Sequence, residues 1–90
     1  MILQLRRTKQ FKKDVKRMLK RGKDIEDLLF VVNELLEERK LAAKYKDHAL
    51  KGQYKDKRDC HIEPDWILIY AYEGQELILY RTGSHSDLFG

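Results

Sequence analysis

Residues 58–72, read as Arg-Asp-Cys-His-Ile-Glu-Pro-Asp-Trp-Ile-Leu-Ile-Tyr-Ala-Tyr, constrain the fold more than any other stretch. They hold the only proline, the only tryptophan and the longest apolar run of the chain. Pro64 presets the backbone angle at the second turn position, so Glu63-Pro64-Asp65-Trp66 reads as a type I turn. Such a short turn forces its flanking strands to pair antiparallel, which predicts a β-hairpin with a polar tip. Residues 66–72 are apolar at nearly every position, as suits a central strand covered on both faces. A third β-rich run, residues 76–82, follows Glu73-Gly74 and completes a meander. Trp66 is expected in the core, its indole N–H bonded to a partner.

Upstream the apolar spacing turns helical. Ile2, Leu3 and Leu5 predict a short strand, an edge or second member of the sheet. Thr8 is placed to cap a helix whose apolar residues Phe11, Val15, Met18 and Leu19 recur at i, i+4, i+7 and i+8, and Gly22 is placed to end it. Asp24 caps a second helix, with Glu26 and Asp27 in the first turn where the helix dipole favours negative charge. Ile25, Leu28, Leu29, Val32, Leu35 and Leu36 keep a 3.6-residue period and are expected to face a core. The short connection predicts an antiparallel helix pair over one side of the sheet. Residues 37–57 lose the pattern and read as a loop or short extra helix, anchored by Tyr45, His48, Leu50 and Tyr54. The expected fold is α+β, one domain over residues 1–90 in the order β-α-α-β-β-β, with a small and mostly antiparallel sheet.

Ninety residues allow one compact core without staples. The single cysteine, Cys60, excludes an intrachain disulfide and fits a reducing cytoplasm; alternating with Arg58 and Ile62, it reads as a small packing residue. No apolar region of signal-peptide length follows the first basic residues, and residues 66–72 fall short of the roughly 18 apolar residues of a membrane span. A cytoplasmic protein with no membrane partner is expected. The net charge of +4 hides a blocked distribution. Residues 1–23 carry ten Lys or Arg against Asp14 alone, and residues 39–58 carry eight against two acids. Such blocks suit a polyanion such as nucleic acid, or an acidic protein partner; a solvated helix face would look the same.

The three histidines, His48, His61 and His85, all lie outside the apolar helix stripes. A meander returns the end of its third strand to the start of its second, so His61, Asp65, Arg81 and His85 can gather at one end of the sheet. Imidazoles exchange protons near neutral pH, and Arg81 offers a planar fork to a phosphate. Taken singly, each histidine reads equally as a surface residue, Asp65 as a turn residue, Arg81 as the partner of a nearby acid and Phe89 as an anchor for the tail. No pair of His, Asp or Cys has zinc-site spacing, so neither a metal nor another cofactor is implied.

Three segments in this order resemble the YafQ family of the RelE/ParE toxin superfamily: Tyr-Lys-Asp-His-Ala-Leu at 45–50, the 58–70 stretch, and Arg-Thr-Gly-Ser-His-Ser-Asp-Leu-Phe at 81–89. The resemblance spans essentially the whole chain. It implies a small α+β toxin of a type II toxin–antitoxin system, an endoribonuclease that cuts messenger RNA in the ribosomal A site without a metal. Its catalytic positions fall on His48, His61, Asp65, His85 and Phe89, Phe89 positioning a base, and its phosphate contact falls on Arg81. It also implies contact with ribosomal RNA, a ribbon-helix-helix antitoxin, and operator DNA reached only through the antitoxin complex. A non-catalytic module gripping RNA or an acidic partner, and a gyrase poison of the ParE branch, are the alternatives; neither accounts for the histidine set.

Overall fold

Among the described residues, 3–90 of a computed structural model, the elements are β1 (Gln4–Arg7), α1 (Lys9–Lys20), α2 (Ile25–Leu36), β2 (His48–Ala49), β3 (Arg58–Glu63), β4 (Trp66–Glu73), β5 (Glu76–Gly83) and α3 (His85–Phe89). The five strands form one sheet in the order β1-β5-β4-β3-β2. Only β1, beside β5, runs parallel to its neighbour. The expected α+β meander is therefore present, with two additions. His48–Ala49 becomes a fifth, edge strand, and the polar tail becomes a short helix. Ile2 lies outside the described residues.

Local chemistry explains most boundaries. At the hairpin tip Glu63 stands opposite Trp66, leaving Pro64 and Asp65 as the two-residue loop, with a bulge between His61 and Glu63. Thr8 Oγ1 accepts the Phe11 N–H at 3.0 Å and donates to the Tyr80 carbonyl at 2.8 Å, so one hydroxyl caps α1 and ties it to β5. Gly22, at φ +87°, closes α1: its N–H reaches the Leu19 carbonyl and that of Lys23 reaches Met18. Asp24 Oδ1 accepts the Glu26 N–H and caps α2. At the other end of α2 the same closing motif runs through Glu38, at φ +55°, a conformation that normally favours glycine.

β4 is covered on both faces. Trp66, Leu68 and Tyr70 join the main core with α1 and α2, while Ile67 and Ile69 pack under Leu88 of α3, Leu50 and Tyr54. Each such buried apolar side chain contributes about 1.5–3 kcal/mol. Trp66 Nε1 donates to Thr82 Oγ1 at 2.8 Å, the partner its burial requires. Cys60 is fully buried, which pushes its thiol pKa far up and fits a packing role. Tyr45, Leu50 and Tyr54 anchor the 37–57 segment as expected, whereas His48 is exposed on the edge strand and does not.

Both helix stripes differ from the expectation in part. On α1 the buried residues are Phe11, Asp14 and Met18, whereas Leu19 is exposed. α1 runs along β5 past the end of β1, where the Thr82 N–H needs an acceptor; Asp14 supplies it, so a charged residue holds the inward position. On α2 the buried set is Leu28, Val31, Val32 and Leu35, and Leu29 turns outward beside the exposed Phe30. α1 packs on β5 and α2 over β3, and Phe11 and Met18 share one core with Leu28 and Val32.

Candidate functional site

Strand alternation sets the site. On β3, Cys60 and Ile62 point into the main core, so Asp59 and His61 point to the other face. There Asp59 pairs across to Ile69 and His61 to Ile67, the two residues that α3 covers. His48 on β2 stands directly opposite Asp59.

Two imidazoles are held by backbone carbonyls. His48 Nδ1 lies 2.9 Å from the Lys46 oxygen, and His61 Nδ1 lies 3.0 Å from the Pro64 oxygen. A carbonyl can only accept, so each Nδ1 carries the proton. In the neutral ring Nε2 then has a free lone pair, the form a general base needs. His48 Nδ1 also comes within 2.9 Å of Asp59 Oδ1, but its N–H aims at Lys46, leaving that buried oxygen without an aligned donor.

Asp59 is a buried carboxylate on this face. Burial raises its pKa above the ordinary carboxylate value, and neighbouring Asp47 raises it further; His48, His61 and His85 each lower it. The sequence reading passed over Asp59. Its signal was the period of two: Asp59 and His61 flank Cys60 on one strand and must share a face.

α3 brings in His85 and Phe89. Ser84 and Asp87 form a capping box, each side chain accepting the other's backbone N–H. Arg21 grips Asp87 through two bonds of 2.6 and 3.1 Å, and this holds the Asp87 carboxyl well below its usual range. Asp65 Oδ1 accepts the His85 N–H at 2.8 Å, joining the hairpin tip to α3. Its contact is thus with the backbone of His85. The His85 ring lies against Phe89 at 5.1 Å between centroids, and Tyr54 meets Phe89 edge-on at 5.6 Å. Tyr54, also missed as a site residue, bonds through its hydroxyl to the Leu88 carbonyl.

Arg81 reaches Asp14 rather than an acid near it in sequence. Its Nε and Nη2 bond the two carboxylate oxygens at 2.9 and 3.0 Å, and the guanidinium stays about a quarter exposed. Burial alone would raise the Asp14 pKa, but the bonds from Arg81, Gln10 and the Thr82 N–H outweigh it and hold it low. Among the described residues no group of three or more His, Cys, Asp or Glu is arranged to hold a metal ion. Nor, among them, is any helix long and apolar enough to cross a membrane.

A three-helix, five-strand α+β domain with this face belongs to a known class of bacterial toxin. It superposes with a TM-score of 0.92 on a chain of the E. coli DinJ-YafQ toxin-antitoxin complex, at 43% identity and with 100% of both chains covered. Residues 3–90 match the family described as bacterial toxin of type II toxin-antitoxin system, YafQ. The chain belongs to the YafQ family. It is 48% identical to the mRNA interferase toxin YafQ of E. coli K12 over 90% of this chain and 89% of the relative. It is 37% identical to a putative toxin YafQ of Haemophilus influenzae over 89% and 85%.

Proposed function

We propose that this chain is the toxin of a type II toxin–antitoxin pair and an endoribonuclease that cuts messenger RNA in the ribosomal A site. The observation that carries the chemistry is a pair of imidazoles on one sheet face, His48 opposite the buried Asp59 and His61 two residues along the same strand from it, each with Nδ1 tied to a carbonyl, on the face that α3, with His85 in it, covers. This donor set supplies each role that attack of a 2′-hydroxyl on the adjacent phosphorus requires, so the reaction proceeds without a metal. His48 Nε2 takes the hydroxyl proton as the O–P bond forms. His85, at the start of α3, protonates the departing 5′-oxygen as the P–O bond breaks, leaving a 2′,3′-cyclic phosphate and a 5′-hydroxyl. His61 lies beside the phosphate and steadies its charge when Nε2 also carries a proton, Nδ1 still donating to the Pro64 carbonyl. Arg81 keeps Nη1 for the phosphorane, its other nitrogens being held by Asp14. Phe89 stacks on a base and holds it in line for attack, and Asp65 fixes His85 through its backbone.

The partners follow from the same reading. The cationic outer face of α1 approaches ribosomal RNA. A ribbon-helix-helix antitoxin, the counterpart of DinJ, covers the toxin in the cytoplasm, and operator DNA is reached only through that complex. Incubation with ribosomes programmed with message, followed by mapping of 5′ ends, tests the proposal. New 5′-hydroxyl ends at the A-site codon are expected from the wild type, with a loss of at least ~10² in rate for His85→Ala. Intact message would favour a binding module instead, and a fully active His85→Ala would remove the assigned acid.

A further inference from the structure

Beside the catalytic face, between α2 and the hairpin, lies an open cleft of about 630 Å³ whose one lining residue with a part in the reaction is His61. Phe30 of α2 and Tyr45 form its aromatic wall, stacked with ring centroids 6.3 Å apart and planes 30° apart. Phe30 is 54% exposed, an unusual place for a phenylalanine unless something covers it. Lys44 and Lys46 line the same cleft, and Lys44 Nζ sits 5.1 Å above the Tyr45 ring. Of its two acids, Glu63 is neutralised by Lys23 at 2.8 Å, which leaves Asp27 against Lys44 and Lys46.

The cleft is continuous with the catalytic cluster. His61 and Pro64 form part of its wall, and the Pro64 carbonyl is the group that holds His61 Nδ1. On the other side, the Lys46 carbonyl holds His48 Nδ1. A strand of RNA with its scissile phosphate at His48 and His61 therefore has one neighbouring nucleotide within reach of the cleft. Its base finds a stacking platform, and its phosphate finds two ammonium groups. An apolar protein segment would find the platform but leave both lysines without partners.

We infer that this cleft is a nucleotide subsite: Phe30 and Tyr45 stack the base flanking the cleaved bond, while Lys44 and Lys46 hold its phosphate. The inference rests on the ribonuclease reading above. Phe30 is the residue to probe, because its exposure lets alanine replace it without disturbing the core. The experiment measures cleavage on ribosomes programmed with two messages, one natural and one carrying an abasic ribose at the position flanking the cleaved bond on either side in turn. For the wild type the abasic message at one of the two positions is cut about tenfold more slowly. For Phe30→Ala the natural message is slowed by a similar factor and the abasic one no further, while Phe30→Trp restores discrimination. If the abasic change slows Phe30→Ala as much as wild type, or slows neither protein at either position, the subsite is wrong. If Phe30→Ala alters only the affinity for an antitoxin, the cleft docks protein and the subsite is equally overturned. A wild type that cuts no message on ribosomes refutes the ribonuclease reading itself, and the subsite with it.

Discussion

Asp14→Ala is expected to cost more stability than any loss of an apolar contact on α1 would suggest. The Asp14 side chain is fully buried and accepts from Arg81 Nε and Nη2, Gln10, the half-exposed Arg17 and the Thr82 N–H. Removing one partner of a fully buried ion pair costs about 3–5 kcal/mol. Arg81 is about a quarter exposed and can turn toward water, so its share falls below that range. The Thr82 N–H cannot turn: that residue is completely buried on the free edge of β5, and an orphaned donor there costs about 1–3 kcal/mol. The sum is about 3 kcal/mol, a large part of the roughly 5–13 kcal/mol available to a domain this size. With an unfolding entropy of about 0.19 kcal/mol/K, Tm falls by about 15 °C.

Thermal unfolding followed by circular dichroism at pH 7 measures this directly. A fall of less than 4 °C would mean that water or a neighbouring carbonyl replaces the carboxylate, and the edge-capping argument would be lost. The pH profile gives an independent check. The folded pKa of Asp14 lies below the unfolded value, so its stabilisation is complete above about pH 4 and fades as pH falls through the folded value. Wild-type Tm should therefore decline more steeply below pH 4 than that of Asp14→Ala; parallel curves would contradict the assignment.

Three further outcomes follow from named contacts. Asp59→Asn should leave Tm equal or higher while lowering the cleavage rate: the folded pKa of Asp59 is raised, so its charge opposes folding once pH exceeds the unfolded value, and a lower Tm at pH 7 would contradict this. Glu38→Gly relieves the positive φ at the end of α2 and should add about 0.5–1 kcal/mol, read as a rise of about 3–5 °C; an unchanged Tm would show that Glu38 adopts this conformation without strain. Asp87→Ala removes the capping box and the Arg21 pair, so α3 frays at a cost of about 1 kcal/mol, and cleavage falls because His85 and Phe89 lose their fixed placement; full cleavage would show that α3 is held by Leu88 packing alone.

The elements that were legible in the sequence are those whose signals are local. Pro64, the 66–72 run, Thr8, Asp24 and Gly22 each determine a turn, strand or helix end through their own backbone chemistry. The end of α2 was not legible because Glu38 takes a left-handed conformation that sequence reasoning assigns to glycine. β2 was too short to show alternation, and α3 carried a readable Ser84-x-x-Asp87 box but too few residues to show a period. Of the site, the approach of Asp65 to His85 followed from meander topology, since the hairpin tip and the end of β5 must meet. Asp14 could not be found that way. An acid on an apolar stripe has no local reason to point inward, and the edge N–H it serves belongs to a strand 68 residues away.

The two buried carboxylates show how differently one fold uses the same group. Asp14 is surrounded by donors that carry their protons permanently, so its charge is compensated in the resting protein and its pKa falls. Asp59 is buried beside His48, whose Nδ1 lies 2.9 Å away, and one of its oxygens has no aligned donor. A proton gained by His48 therefore compensates the Asp59 charge. On the proposed chemistry that moment arrives when His48 takes the 2′-hydroxyl proton and becomes an imidazolium beside Asp59. The cost of burying Asp59 is then carried by the resting state and relieved as charge develops in the transition state, which is the direction that accelerates a reaction. A carboxylate satisfied as fully as Asp14 would stabilise the fold and give His48 nothing.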